Sequence, residues 1–158
     1  MKKLIIVLIA IAFMSAAAFA GSTDTQTVYF EIDAINEIAF DADETLTINA
    51  ATAGSEPDED SVVCQYAITT NDTTGKKITG ALNANMPTAT MINIETDAPS
   101  TGSTAGEKTL NTTAQDLVTS IETVAQSAIN YTLYLDANVA AGLPADGSRV
   151  ITFTLTDS

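Results

Sequence analysis

Beyond residue 20 this chain is organised by a period of two. Apolar residues alternate with Thr, Asn or acidic residues in run after run: Val28, Phe30 and Ile32, then Ile38 and Phe40, then Leu46 and Ile48. Val62, Cys64, Tyr66 and Ile68 follow, with Ile78 and Leu82, and Ile92 and Ile94, further on. The longest run is Ile129, Tyr131, Leu133, Leu135, Ala137 and Val139, and the last is Ile151, Phe153 and Leu155 between Thr152, Thr154 and Thr156. Neighbouring residues of a strand point to opposite faces, so this spacing gives each segment one apolar and one polar face. Thr supplies most of the polar face, with 25 copies after residue 20. Its β-branched side chain suits an exposed strand surface and weakly disfavours helix. The chain is predicted to be all-β.

The breaks between runs have turn chemistry. Gly54–Asp58, Asn71–Gly75, Ala98–Gly102 and Gly142–Gly147 supply the Gly, Pro, Asn and Asp that tight turns use. Eight to nine short strands joined this way predict two packed antiparallel sheets, an immunoglobulin-like or jelly-roll β-sandwich. One stretch is ambiguous. Leu117, Ile121 and Val124 have helical spacing behind a capping-like Thr113-Ala114-Gln115-Asp116, yet Thr119, Ile121, Thr123 and Val124 are β-branched. At most one short helix is expected there. The predicted core includes Phe30, Ile48, Tyr66, Leu133, Phe153 and Leu155.

The first 20 residues read differently. Lys2-Lys3, the apolar run Leu4 to Phe13 and the small-residue ending Ala18-Phe19-Ala20 are the three parts of a secretory signal peptide. Leu4 to Ala20 is at the lower limit for a membrane span, and the A-x-A site favours cleavage before Gly21 over a retained anchor. The expected organisation is a leader over 1–20, a polar flexible arm over 21–26 and one sandwich domain over 27–158. Secretion to the extracellular space or cell surface follows, with membrane contact only through the leader during export.

Charge and missing residue types narrow the function. All 20 acidic residues follow the leader but only four basic ones do (Lys76, Lys77, Lys108 and Arg149), a mature charge of −16. Nucleic acid and anionic membrane surfaces are unsuitable partners, because phosphate contacts need Lys and Arg. With no His, a histidine base and His-ligated metals are excluded, and no Trp is present to stack on a sugar ring. Cys64 is the only cysteine, so no intrachain disulfide forms; its place in an alternating run marks it as a small buried hydrophobe. The acidic runs Asp41-Ala42-Asp43-Glu44 and Glu56-Pro57-Asp58-Glu59-Asp60 lack the spacing of an EF-hand loop and read as solvated turns. Three N-x-[ST] matches, at Asn71, Asn111 and Asn130, arise easily in so Thr-rich a chain. No catalytic residue, cofactor or metal site is expected, and the chain reads as a non-enzyme.

The remaining feature is the N-terminal arm. A polar Gly21–Gln26 runs directly into the alternating Thr27–Asp33, which has two readings: an ordinary first strand of its own domain, or a strand added to a neighbouring copy. In the second reading Val28, Phe30 and Ile32 are the self-assembly residues.

The stretch Val28-Tyr29-Phe30-Glu31-Ile32-Asp33-Ala34-Ile35-Asn36-Glu37-Ile38, with Tyr66-Ala67-Ile68-Thr69-Thr70-Asn71 and the ending Arg149-Val150-Ile151-Thr152-Phe153-Thr154-Leu155, resembles small secreted bacterial surface proteins. The closing layout is similar to spore-coat-U-type, camelysin-type and WxL-type proteins, departing from the last in having no Trp. The first two groups imply extracellular fibres of β-sandwich subunits, some joined by strand donation, and no catalytic residues. The expected function is a secreted structural or cell-surface protein, a fibre or pilus-like subunit whose partners are copies of itself. The alternative is a monomeric secreted binding module for carbohydrate or protein.

Overall fold

The computed structural model of the chain describes residues 23–141 and 147–158. The leader, Gly21, Ser22 and the 142–146 part of the expected Gly/Pro turn lie outside the described residues. Asp33–Ser158 is one compact unit; the chain up to Ile32 is a separate unit, whose described residues 23–32 are exposed and carry no regular secondary structure.

The compact unit is all-β. Its strands are β1 (Asn36–Phe40), β2 (Asp60–Thr70), β3 (Lys76–Leu82), β4 (Thr90–Thr96), β5 (Ser103–Thr104), β6 (Lys108–Thr109), β7 (Gln115–Ile121), β8 (Val124–Ala137) and β9 (Ile151–Asp157). One sheet has the order β1-β2-β8-β4-β6 and the other β5-β7-β3-β9. Every pairing between neighbours is antiparallel. The inner faces meet in one core, to which β2, β4 and β8 contribute Tyr66, Ile68, Ile94 and Ile129, and β3 and β7 contribute Ile78, Leu117 and Ile121. This is a nine-stranded antiparallel β-sandwich.

Register explains why alternation reads well in some strands and fails in others. Val62↔Leu133, Cys64↔Tyr131 and Tyr66↔Ile129 are directly opposed, so six residues of the alternating pattern share the inner face. Between Tyr66 and Ile68 the register shifts by one residue, where Ala128 on β8 has φ of 55°. That bulge changes the parity of β8, so Val124 and Ile129, an odd number of residues apart, both point inward. β7 carries two such shifts against β3, with Ser120 at φ of 56°.

The segment with helical spacing is strand β7, not a helix. Leu117, Val118 and Ile121 are all buried because the bulges in β7 interrupt strict alternation, the β-branched residues there suit the sheet, and Val124 begins β8. Among the described residues a single 3₁₀ turn occurs, at Val139–Ala141, and β8 ends at Ala137 rather than running to Val139.

Two other expectations need correction. Leu46 and Ile48 do not form a strand; they are half-buried in a loop held by the Thr47 N–H, which donates to Asp60 Oδ2 at 2.6 Å, and by the Asp58 N–H, which donates to Ala50 O at 2.9 Å. Thr27–Asp33 is not a strand either, and Phe30 is no core residue, being 86% exposed. Of the predicted core, Tyr66 and Leu133 are buried, whereas Ile48, Phe153 and Leu155 are half-buried.

Candidate functional site: the open edge and the N-terminal segment

An antiparallel sandwich has four edge strands, each with one row of backbone N–H and C=O groups unpaired by the sheet. Here they are β1 and β6 in one sheet, β5 and β9 in the other. β5 and β6 are two residues long, too short to template another strand. β1 has five residues and β9 has seven. β9 pairs with β3 along its whole length, Ile151↔Leu82 to Asp157↔Lys76, and among the described residues no strand lies on its other side in the sheet.

β1 and β9 lie on the same side of the sandwich. The Phe40 ring of β1 stacks on the Phe153 ring of β9, with centroids 3.6 Å apart and planes 5° from parallel. Tyr66 also stacks on Phe40, with centroids 5.1 Å apart, and Tyr131 meets Phe40 edge-on at 5.3 Å. This aromatic group joins the two sheets at their edges. Around it, Ile38, Phe40, Ile151, Phe153 and Leu155 pack against the core yet stay only half-buried. Among the described residues, neither β1 nor β9 has a second strand neighbour within its sheet.

The two ends of β9 differ in charge. At its C-terminal end, Lys76 Nζ pairs with Asp157 and with Asp72 Oδ2 at 2.8 Å. Asp72 also accepts from the Thr74 N–H and hydroxyl, and with Lys76 these donors hold its carboxyl well below the usual range. At the N-terminal end stands Arg149. Its guanidinium donates to Asn85 O at 2.9 Å and to Ser148 O at 2.9 Å, and among the described residues it faces no carboxylate.

The sequence-predicted assembly residues lie in the other unit. Val28 is 72% exposed, Phe30 86% and Ile32 76%, with Tyr29 exposed as well. The unit that follows anchors its first residues at Asn71, whose Nδ2 donates to Asp33 O at 2.8 Å and whose Oδ1 accepts from the Ile35 N–H at 2.8 Å.

Other candidates have structural roles. Asp41 Oδ2 accepts from the Gln65 N–H at 2.7 Å, and Glu56 Oε2 from the Val139 N–H at 2.7 Å. The acidic runs thus close loops through backbone donors, and among the described residues no three acidic or thiol groups converge as a metal cluster. Glu56 also borders a shallow open depression with Met91 and Asp136. Cys64 is 2% exposed beside Tyr131, and burial pushes its thiol pKa up.

Sequence reasoning found the apolar alternation of Val28–Ile32 and the strand β9, but not that β9 lies at an edge. Alternation reports which residues share a face and carries no sign of which strand lies at an edge. A signal was present in composition: Ile151–Asp157 is an apolar–Thr alternation without the Lys, Pro or Gly that commonly blocks an edge. Comparison with protein-family models and with curated proteins returns no match.

Proposed function

We propose that this chain is an exported structural protein, a subunit of an extracellular or cell-surface fibre whose copies are joined by strand pairing. The observation that carries this reading is the exposed Val28-Tyr29-Phe30-Glu31-Ile32, an alternating apolar segment outside the compact unit. Three large side chains on one strand face are costly to leave in water, and burying each contributes about 1.5–3 kcal/mol. A second copy supplies both an apolar surface and unpaired backbone groups. The mature charge of −16 opposes association, but salt screens it beyond about 8 Å at physiological ionic strength.

Negative-stain microscopy of the chain from Gly21 onward tests the reading. Fibres are expected, their formation promoted by salt. A chain beginning at Ala34 should stay folded, form no fibres and bind a peptide of residues 21–33. If the full mature chain stays monomeric at millimolar concentration across salt conditions, the structural reading fails and a monomeric binding module replaces it.

A further inference from the structure

We infer that the free edge of β9 is the acceptor, and that it takes the Val28–Ile32 segment of a second copy in antiparallel orientation; the inference rests on the strand-pairing reading above. Edge length is the first argument. β9 is the longest of the four edge strands, while β1 is shorter and carries Glu37, which would add a like charge beside an incoming Glu31.

Pattern is the second argument. Ile151, Phe153 and Leu155 face the core side of β9 and are half-buried, with Thr152, Thr154 and Thr156 exposed on the other face. Val28, Phe30 and Ile32 repeat the same three-residue, period-two spacing. Directly opposed residues of paired strands share a face, so the two apolar triplets meet one for one and cover the half-exposed strip around Phe40.

Charge fixes the direction. Antiparallel pairing places Val28 opposite Leu155, Phe30 opposite Phe153 and Ile32 opposite Ile151, so that Asp33 falls opposite Val150, one residue along from Arg149. Parallel pairing would set Asp33 against Asp157 and Asp72, whose charges already share Lys76. The parallel arrangement is also the one available to a chain folding back on its own β9. Asn36 faces Thr70, and Asp72, Lys76 and Asp157 form one ion-pair cluster, so the start of β1 and the end of β9 lie at the same end of the sandwich. Antiparallel pairing therefore identifies a second copy as the donor.

Pairwise mixing of variants that each carry one added cysteine tests this. Tyr29→Cys and Glu31→Cys each go into one preparation, Thr152→Cys and Thr154→Cys into another, and the mixtures are oxidised and run on non-reducing gels. Cys64 stays in place, since it is buried, and the unsubstituted chain is the control. Disulfide-linked dimers are expected for Glu31→Cys with Thr152→Cys and for Tyr29→Cys with Thr154→Cys, and not for the two crossed mixtures. Diagonal neighbours about 7–8 Å apart are too distant for a disulfide. Linkage in the crossed mixtures instead, or linkage within one chain of a double variant, overturns the antiparallel acceptor. Fibres that form with no linkage in any mixture place the acceptor elsewhere while strand pairing stands. A chain that neither links nor sediments above the monomer overturns both readings.

Discussion

The two sides of this sandwich use the same residue types and reach different degrees of burial. On the β3–β7 and β4–β8 side, Ile78, Ile94 and Ile121 are 0% exposed and Leu117 is 1% exposed. On the β1–β9 side, Ile38, Ile151, Phe153 and Leu155 are only half-buried, although their strands alternate as cleanly. The difference comes from position. A central strand is flanked by two neighbours whose side chains cover its apolar face, and an edge strand has one. Sealing also depends on small residues on the closed side: an added Cβ at Gly80 would lie 3.0 Å from Leu117 Cδ1 and 3.5 Å from Leu110 Cδ2. The loop over β7 fits as tightly, with Gly102 at φ of 131° and its Cβ position 3.2 Å from Ile121 Cγ1.

Truncation should expose this contrast most strongly. Leu117→Ala truncates a side chain that is only 1% exposed and is expected to cost about 2–5 kcal/mol in urea unfolding. Leu155→Ala, on the open side of the monomer, should cost about 1 kcal/mol, in proportion to its partial burial. Equal losses would show that the β9 edge is sealed in solution. In assembled material the Leu155→Ala effect should grow if that edge becomes covered.

A smaller effect is expected from overpacking the closed side. Gly80→Ala forces the Leu117 side chain to give way and should cost about 1–3 kcal/mol in the same measurement. No loss would mean that the sealed side yields more readily than its packing indicates.

The smallest effect belongs to the ion pairs at the end of β9. Lys76, Asp72 and Asp157 tie the open edge to the turn before β3, where water and salt screen them. The Lys76 ammonium and the Thr74 donors lower the Asp72 pKa, so its contribution is present above the unfolded carboxylate value of about 3.9 and is lost as pH falls through the folded value. Lys76 is raised by Asp157 first and then by Asp72; its contribution is present below about 10.4 and is lost as pH rises through the raised value. The difference in urea midpoint between the parent chain and Asp72→Asn should therefore be level from about pH 5 to 9 and shrink below about pH 4. It should also narrow with added salt. A difference that stays constant down to pH 2 would detach the cluster from acid stability.

Much of the fold was legible in the residues themselves. Alternation and β-branching are local properties, and they gave the all-β class, the inward faces of β2, β8 and β9, and the burial of Cys64, Tyr66 and Leu133. Local pattern also marked Val28, Phe30 and Ile32 as a candidate strand face. It misplaced Leu46–Ile48 as a strand, because two apolar residues two apart also fit a loop whose backbone is satisfied by a distant carboxylate, that of Asp60. It could not place the bulges at Ser120 and Ala128, which answer to the partner strand's register rather than to their own side chains. Strand order, and with it the open edge at β9 and the stacking of Phe40 on Phe153, was decided only in three dimensions. Phe40 and Phe153 are 113 positions apart, β3 and β9 pair across 69 to 81 positions, and an edge is defined by which strand is missing beside it.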